Sequence, residues 1–404
     1  MTYKEQFEKT VLYRDDKGLV TLMCEAFDDE ALMPVALNAL IAAARSNGWQ
    51  GNLWHMALAQ FLLENENPFS LSCERKRVVK SSLWDIALFD IGIIKNLFHV
   101  DCSYPLWNTV THFTQPGGYE SEAPSEFLDA LYNGAPDEEL LGTLAYIYEK
   151  YGCGIYGYNE SFRLEGKEII PVKGKTHPKF DDLIGYEKQK EMLTANTIAF
   201  ISRRGSNNVL LYGDAGTGKS TSIQALLSDF AKDGLRIIEI YKHQFELIPD
   251  LMAKLAERNY SFILLLDDLS FEETETEYKY LKAVMEGGSA LNPENVRIYA
   301  TSNRRHLVRE NYSDRSDMEH DGDIHRSETM EEKLSLASRF GLQIFYPAPT
   351  FKEYQGIVGK LAEKAGLAGG VESDLFRASA EWQIAHGSKS GRTAKQFVDS
   401  LKQE

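Results

Sequence analysis

An α/β core built on a parallel sheet, preceded by a mainly helical N-terminal domain and followed by a small helical lid, is the fold class this sequence predicts. Three observations predict it. From Phe180 to Tyr346, short apolar runs alternate with segments of helical periodicity, the pattern of a parallel sheet flanked by helices. One of those runs, Val209-Leu210-Leu211, passes directly into a glycine-rich turn and then a helix. Residues 1–170 and 350–401 carry helical periodicity and little strand pattern. The expected domains are 1–172, 173–347 and 348–404.

A chain of 404 residues holds two to three domains, each able to bury a core. Its 43% hydrophobic and 26% charged content excludes wholesale disorder. The formal charge of −16 argues against broad nucleic-acid affinity, which rests on clustered Lys and Arg, and points to proteins as partners. Cys24, Cys73, Cys102 and Cys153 form no C-x-x-C pair, so they read as buried free thiols rather than a zinc site or disulfide framework. The polar start Met1-Thr2-Tyr3-Lys4-Glu5 lacks a signal-peptide core, and no apolar run reaches membrane-spanning length. The expected location is the cytoplasm.

In the N-terminal segment, Ala31 to Arg45 reads as a helix closed by Gly48. Leu53 to Leu63 reads as a second, stopped by Glu64-Asn65-Glu66-Asn67-Pro68, and Trp84 to Phe98 as a third, strongly apolar one. Ser125 can cap Glu126 to Tyr132, and Pro136-Asp137-Glu138-Glu139 opens a helix running to Tyr151. Trp49, Trp54, Trp84 and Trp107 read as core filling rather than a ligand cage. No catalytic constellation stands out here, and position alone assigns the segment to partner binding or assembly. Phe162 to Lys173 reads as a short strand or an extended linker, and Pro171 to Pro178 as the boundary.

The α/β segment begins with Phe180-Asp181-Asp182-Leu183-Ile184-Gly185-Tyr186-Glu187 and a helix through Arg203. Strands follow at 209–213, Leu235 to Tyr241, Phe262 to Leu266, Val296 to Ala300 and Leu342 to Tyr346, with helices between them. An acidic polar stretch precedes the helix that ends at Arg339-Phe340, and Pro347 and Pro349 close the last strand.

Between the 209–213 strand and its helix lies Gly213-x-x-x-x-Gly218-Lys219-Ser220, the full P-loop pattern in its strand–loop–helix context. Gly213, Asp214, Ala215, Gly216, Thr217, Gly218, Lys219, Ser220 and Thr221 are the expected nucleotide-binding residues. Glycines let main-chain N–H groups turn inward around phosphate oxygens, and the helix start adds a positive dipole end. Lys219 is expected to reach the β- and γ-phosphates of ATP, and Ser220 to help hold Mg²⁺. The strand ending in Asp267-Asp268 supplies the acids such a loop needs: Asp267 for Mg²⁺ and Asp268 to orient the attacking water. His320 and His325, with Asp317, Glu319, Asp321 and Asp323, fit no metal motif and read as a solvated acidic loop.

Together these residues resemble the AAA+ ATPase superfamily. Phe180 to Glu187 is similar to its N-terminal box, and the two motifs above to its nucleotide motifs. The resemblance implies sensor-one for Asn303, an arginine finger for Arg339 and sensor two for Arg392, in Ser390-Gly391-Arg392. Each has a plainer reading: a turn residue for Asn303, a dipole partner at a helix C-terminus for Arg339, a solvated first-turn residue for Arg392. Finer resemblance goes to domain-of-unknown-function family 815, through Asp267-Asp268-Leu269-Ser270-Phe271-Glu272 and Lys333-Leu334-Ser335-Leu336 before Arg339-Phe340-Gly341-Leu342, and is expected to span most of the chain, including the aromatic N-terminal segment.

The superfamily places Glu after the metal-binding Asp; here Asp268 is shorter by one methylene, which leaves Asp268 or Glu272 to activate water, or turnover slow. The link Tyr241-Lys242-His243-Gln244-Phe245-Glu246 lacks the glycine of a threading loop, so the resemblance points to ATP-driven assembly or remodelling of a protein complex by a homo-oligomeric ring or filament. Alternatives are an ATP-binding switch with little turnover and a loader-like DNA-processing factor, which the acidic balance disfavours.

Overall fold

The computed structural model describes residues 1–15, 18–76, 81–115, 122–172, 176–271, 277–286, 293–304, 307, 336–367, 372–387 and 389–402. The chain divides into two units, Met1–Tyr158 and Asn159–Glu404.

The first unit is helical: α1 (Tyr3–Phe7), α2 (Leu19–Asp28), α3 (Met33–Asn47), α4 (Leu53–Glu64), α5 (Pro68–Glu74), α6 (Ser82–Phe98), α7 (Trp107–Thr111), α8 (Glu122–Tyr132), α9 (Asp137–Tyr151) and α10 (Ile155–Tyr158). Gly48 ends α3 in the left-handed region, as expected. Helix α4 ends at Glu64, at the expected stop, and Pro68 then opens α5, because Asn67 accepts from the N–H groups of Phe69 and Ser70 and Pro at the first position loses no bond it could have made. One expectation is corrected. Helix α8 starts at Glu122, ahead of Ser125. Trp49 and Trp54 are buried, and Trp84 and Trp107 pack against the same core. Trp54 Nε1 donates to the Leu97 carbonyl at 2.7 Å, so its polar edge is satisfied within the apolar interior. Buried Asp90 accepts from the N–H groups of Val11, Leu12 and Tyr13, fastening the segment after α1. All four cysteines are free thiols, three buried and Cys102 half-buried.

The second unit carries a seven-stranded sheet: β1 (Ser161–Glu165), β2 (Glu168–Pro171), β3 (Val209–Gly213), β4 (Leu235–Glu239), β5 (Ser261–Leu266), β6 (Val296–Ser302) and β7 (Leu342–Tyr346). Their spatial order is β2-β1-β4-β5-β6-β3-β7, parallel except for β2. Fully buried β5 and largely buried β3 read as continuous apolar runs because helices cover both faces of a parallel sheet. The boundary expected at residue 172 moves to 158. The 161–171 ribbon is not a linker: β1 pairs in parallel with β4, and Phe162 and Leu164 alternate inward.

Helices α11 (Glu187–Ile201), α12 (Lys219–Phe230), α13 (Ile248–Ala256) and α14 (Tyr278–Glu286) accompany the sheet. After β7 come α15 (Phe351–Lys364), α16 (Glu372–His386) and α17 (Gly391–Leu401), which share a small core of Tyr354, Ile357, Val358, Ala394, Phe397 and Val398. Thr350 caps α15 in a reciprocal box with Glu353. The fold class expected from the sequence, an α/β core on a parallel sheet with a helical N-terminal segment before it and a few helices after it, is the fold observed.

Candidate functional site

In a parallel sheet all strands end on one side, and ligands bind outside those carboxyl ends. The order β5-β6-β3 therefore sets the tips of β5 (Asp267, Asp268) and β3 (the glycine loop) on either side of the β6 tip, Thr301 to Asn303. No side chain caps the start of α12 at Gly218, so its first-turn N–H groups face the loop's concavity. Gly216 has φ 75°, and a β-carbon there would lie 2.7 Å from Ser390 Oγ and 3.2 Å from Arg392 Cβ. Only glycine fits that approach, which lets the Arg392 N–H donate to the Gly216 carbonyl at 3.3 Å.

Lys219 is buried, and its Nζ donates to the carbonyls of Gly213 (2.9 Å) and Asp214 (2.7 Å) and to Asn303 Oδ1 (3.0 Å). Burial lowers its pKa below the usual lysine value, against the opposing pull of Asp214, Asp268 and Asp267; nearby Arg392 lowers it further. Asp267 Oδ1 accepts from the hydroxyls of Ser220 and Thr301, the latter at 2.5 Å. Asn303 bridges the site, since its Nδ2 donates to Asp268 Oδ1 at 2.8 Å while its Oδ1 receives Lys219.

Thr301 is the residue sequence reasoning missed. It donates to Asp267 and accepts from the Asp268 N–H at 2.9 Å, so one hydroxyl sets both acids. Its only signal was a hydroxyl residue two places before Asn303 at a strand end. Asp268 itself has φ 52°. Asp adopts this left-handed conformation more readily than most residues with a β-carbon, which gives a backbone reason for Asp at this position.

A cavity of about 550 Å³ opens beside the site, lined among others by Ile184, Gly185, Tyr186, Pro347, Ala348 and Ile357. Tyr186 stacks on Tyr346 with ring centroids 5.1 Å apart, and burial pushes its pKa up to about 12. Arg339 is not brought to the loop. It pairs with Glu286 at the end of α14 at 2.6 Å, both side chains part-exposed. Glu272, Lys333 to Ser335, and the cluster with His320 and His325 lie outside the described residues. Among the described residues no group of three or more His, Cys, Asp or Glu gathers for a metal ion, and no helix is long and apolar enough to cross a membrane.

The profile of the family described as protein of unknown function (DUF815) matches residues 157–404. The chain belongs to this family. The DUF815 match takes in the whole sheet, the glycine loop and the C-terminal helices, most of the chain as expected, but leaves outside the aromatic N-terminal segment that the resemblance was expected to include. No curated protein matches the chain. Among solved structures, similar ones include the Thermotoga maritima RuvB Holliday junction branch migration motor, 17% identical, covering 56% of this chain and 72% of that one with a TM-score of 0.33. The Aeropyrum pernix ORC2 protein is 16% identical (57% and 70% covered, TM-score 0.32), and the FIGL-1 AAA domain with ADP is 13% identical (56% and 85%, 0.34).

Proposed function

We propose that this DUF815 protein binds ATP with Mg²⁺ and hydrolyses it to remodel or assemble a protein complex, with the first unit as its partner-binding or assembly module. The observation that carries the reading is the continuous polar network from Ser220 through Asp267 and Thr301 to Asp268, Asn303 and Lys219. Its groups are those that triphosphate hydrolysis requires, and neighbouring strand tips bring them within bonding distance.

On this reading the loop's N–H groups and Lys219 take the phosphate oxygens, Lys219 exchanging main-chain carbonyls for phosphate. The Ser220 hydroxyl and the Asp267 carboxylate, already sharing a hydrogen bond, are hard oxygen donors that fit Mg²⁺. When bound, the ion would neutralise charge between the β- and γ-phosphates. Asp268 orients water and accepts its proton as the water oxygen attacks the γ-phosphorus and the bridging P–O bond to ADP breaks. Asn303 holds Asp268 and Lys219 in fixed relation. The cavity beside Tyr186 takes the base, and Arg392 lies over the loop from the α17 start. Arg339 serves a neighbouring subunit in a ring or filament, once released from Glu286; exposed ion pairs of this kind are worth about 1 kcal/mol or less.

A slow or non-hydrolysing switch is the second reading, favoured by the Asn303 bond that occupies the Asp268 carboxylate. Steady-state phosphate release separates the two. Excess release over an Asp267→Asn control, at concentrations where the protein self-associates, is expected; equal rates in the presence of tight fluorescent-nucleotide binding would leave only the switch.

A further inference from the structure

We infer that Asp214 is a positioning residue that ties the phosphate loop to the hinge Pro347-Ala348-Pro349, so that loop and C-terminal helices shift together. The inference rests on the nucleotide reading above and adds a route from the loop to α15.

Four bonds meet at Asp214. Its Oδ2 accepts from the Ala348 N–H at 2.9 Å, and its own N–H donates to the Tyr346 carbonyl at 3.2 Å. Its carbonyl accepts from Lys219 Nζ at 2.7 Å and from the Thr217 hydroxyl at 2.8 Å. The preceding residue shows how closely loop and strand end are pressed together: a β-carbon on Gly213, at φ 138°, would lie 2.0 Å from the Tyr346 carbonyl oxygen.

The hinge has few groups by which it can be held. Prolines at 347 and 349 carry no N–H, and the Thr350 N–H is taken by its own capping partner Glu353 at 2.8 Å. Ala348 thus supplies the main-chain donor between β7 and the α15 cap, and Asp214 receives it. On the other side the Tyr186 hydroxyl donates to the Pro347 carbonyl at 2.8 Å. A carboxylate in an anion-binding loop opposes a triphosphate by Coulomb repulsion, so phosphate affinity does not explain it. The tie does. When Lys219 turns from the Asp214 carbonyl to phosphate, the loop readjusts at the residue that grips the hinge, and the same movement reaches Ala348, which also lines the cavity.

The test uses the full chain as wild type, Asp214→Asn, Asp214→Ala and Ala348→Pro, the last removing the same bond from the donor side. Amide hydrogen exchange is followed by mass spectrometry with and without a non-hydrolysable ATP analogue and Mg²⁺, alongside fluorescent-ATP titration. Asn keeps an acceptor oxygen for the Ala348 N–H and should retain the nucleotide response of α15, while its ATP affinity rises with loss of the repelling charge. In Asp214→Ala the Ala348 amide should exchange about tenfold faster, as expected for loss of a charge-assisted bond. Nucleotide, added at concentrations that saturate each variant by its own titration, should then no longer alter exchange in Phe351–Lys364 of either Asp214→Ala or Ala348→Pro. Unchanged Ala348 exchange in Asp214→Ala, or a full nucleotide response of α15 in either variant, overturns the inference alone. Failure of the wild type to bind ATP overturns the parent reading and this inference with it.

Discussion

Lys219 shows how burial prepares a single side chain for its partner. Enclosed among main-chain carbonyls and Asn303, its ammonium group is less favourable than in water, and its pKa is lowered. A bound triphosphate favours the charged form, so binding raises that pKa. By linkage, affinity should be flat at pH values below the pKa of the empty site and fall as pH rises from there toward that of the complex. The decline should begin below the ordinary lysine range, and fluorescent-ATP titrations across pH would detect it. Lys219→Ala should bind weakly with no such decline; a decline that persists in the variant would assign it to another group.

The glycine loop, Lys219, Ser220 and the Asp267-Asp268 pair were legible in the sequence because their chemistry is local: a motif and a strand end carry it. Thr301 was not, since its meaning depends on β6 lying between β3 and β5, an order that sequence pattern does not encode. The Asp214–Ala348 bond and the Arg392 N–H on Gly216 were hidden for the same reason, each joining distant parts of the chain. Helix α5 went unread because proline reads equally as a helix stop and a first helical residue, and here Pro68 follows one helix and opens the next through the Asn67 cap. The β1–β2 ribbon was open between strand and linker because the partner of β1 is distant β4. Its placement makes a prediction at the element scale. A fragment 159–404 should unfold cooperatively, whereas 173–404 lacks β1, bares the edge of β4 and should lose several degrees of melting temperature or aggregate. Equal melting of the two fragments by calorimetry would show the ribbon to be dispensable.

At the scale of the whole molecule, the site as described is complete on one side only. Loop, acids and Asn303 converge, while Arg339 is engaged by Glu286 elsewhere on the same unit. The proposed finger in a neighbouring subunit would fit this division, and such a finger is worth ~10³–10⁵ in rate in other nucleotide hydrolases. Arg339→Ala should retain ATP binding and lose most turnover. Mixed with Asp268→Ala subunits, it should recover part of the activity, since some interfaces then pair an intact arginine with an intact acid. Phosphate release from the mixture that merely averages the two variants would refute a role in trans.

The backbone at Asp268 has a consequence for how this protein tolerates change. A residue with a β-carbon held at φ 52° opposes folding by roughly 1 kcal/mol, which glycine would relieve. Selection for heat resistance alone would therefore drift toward Asp268→Gly, yielding a sturdier molecule without the carboxylate proposed to take the water's proton. An acid kept at this position among descendants of this chain would mark the proposed turnover, and not rigidity, as the trait under selection.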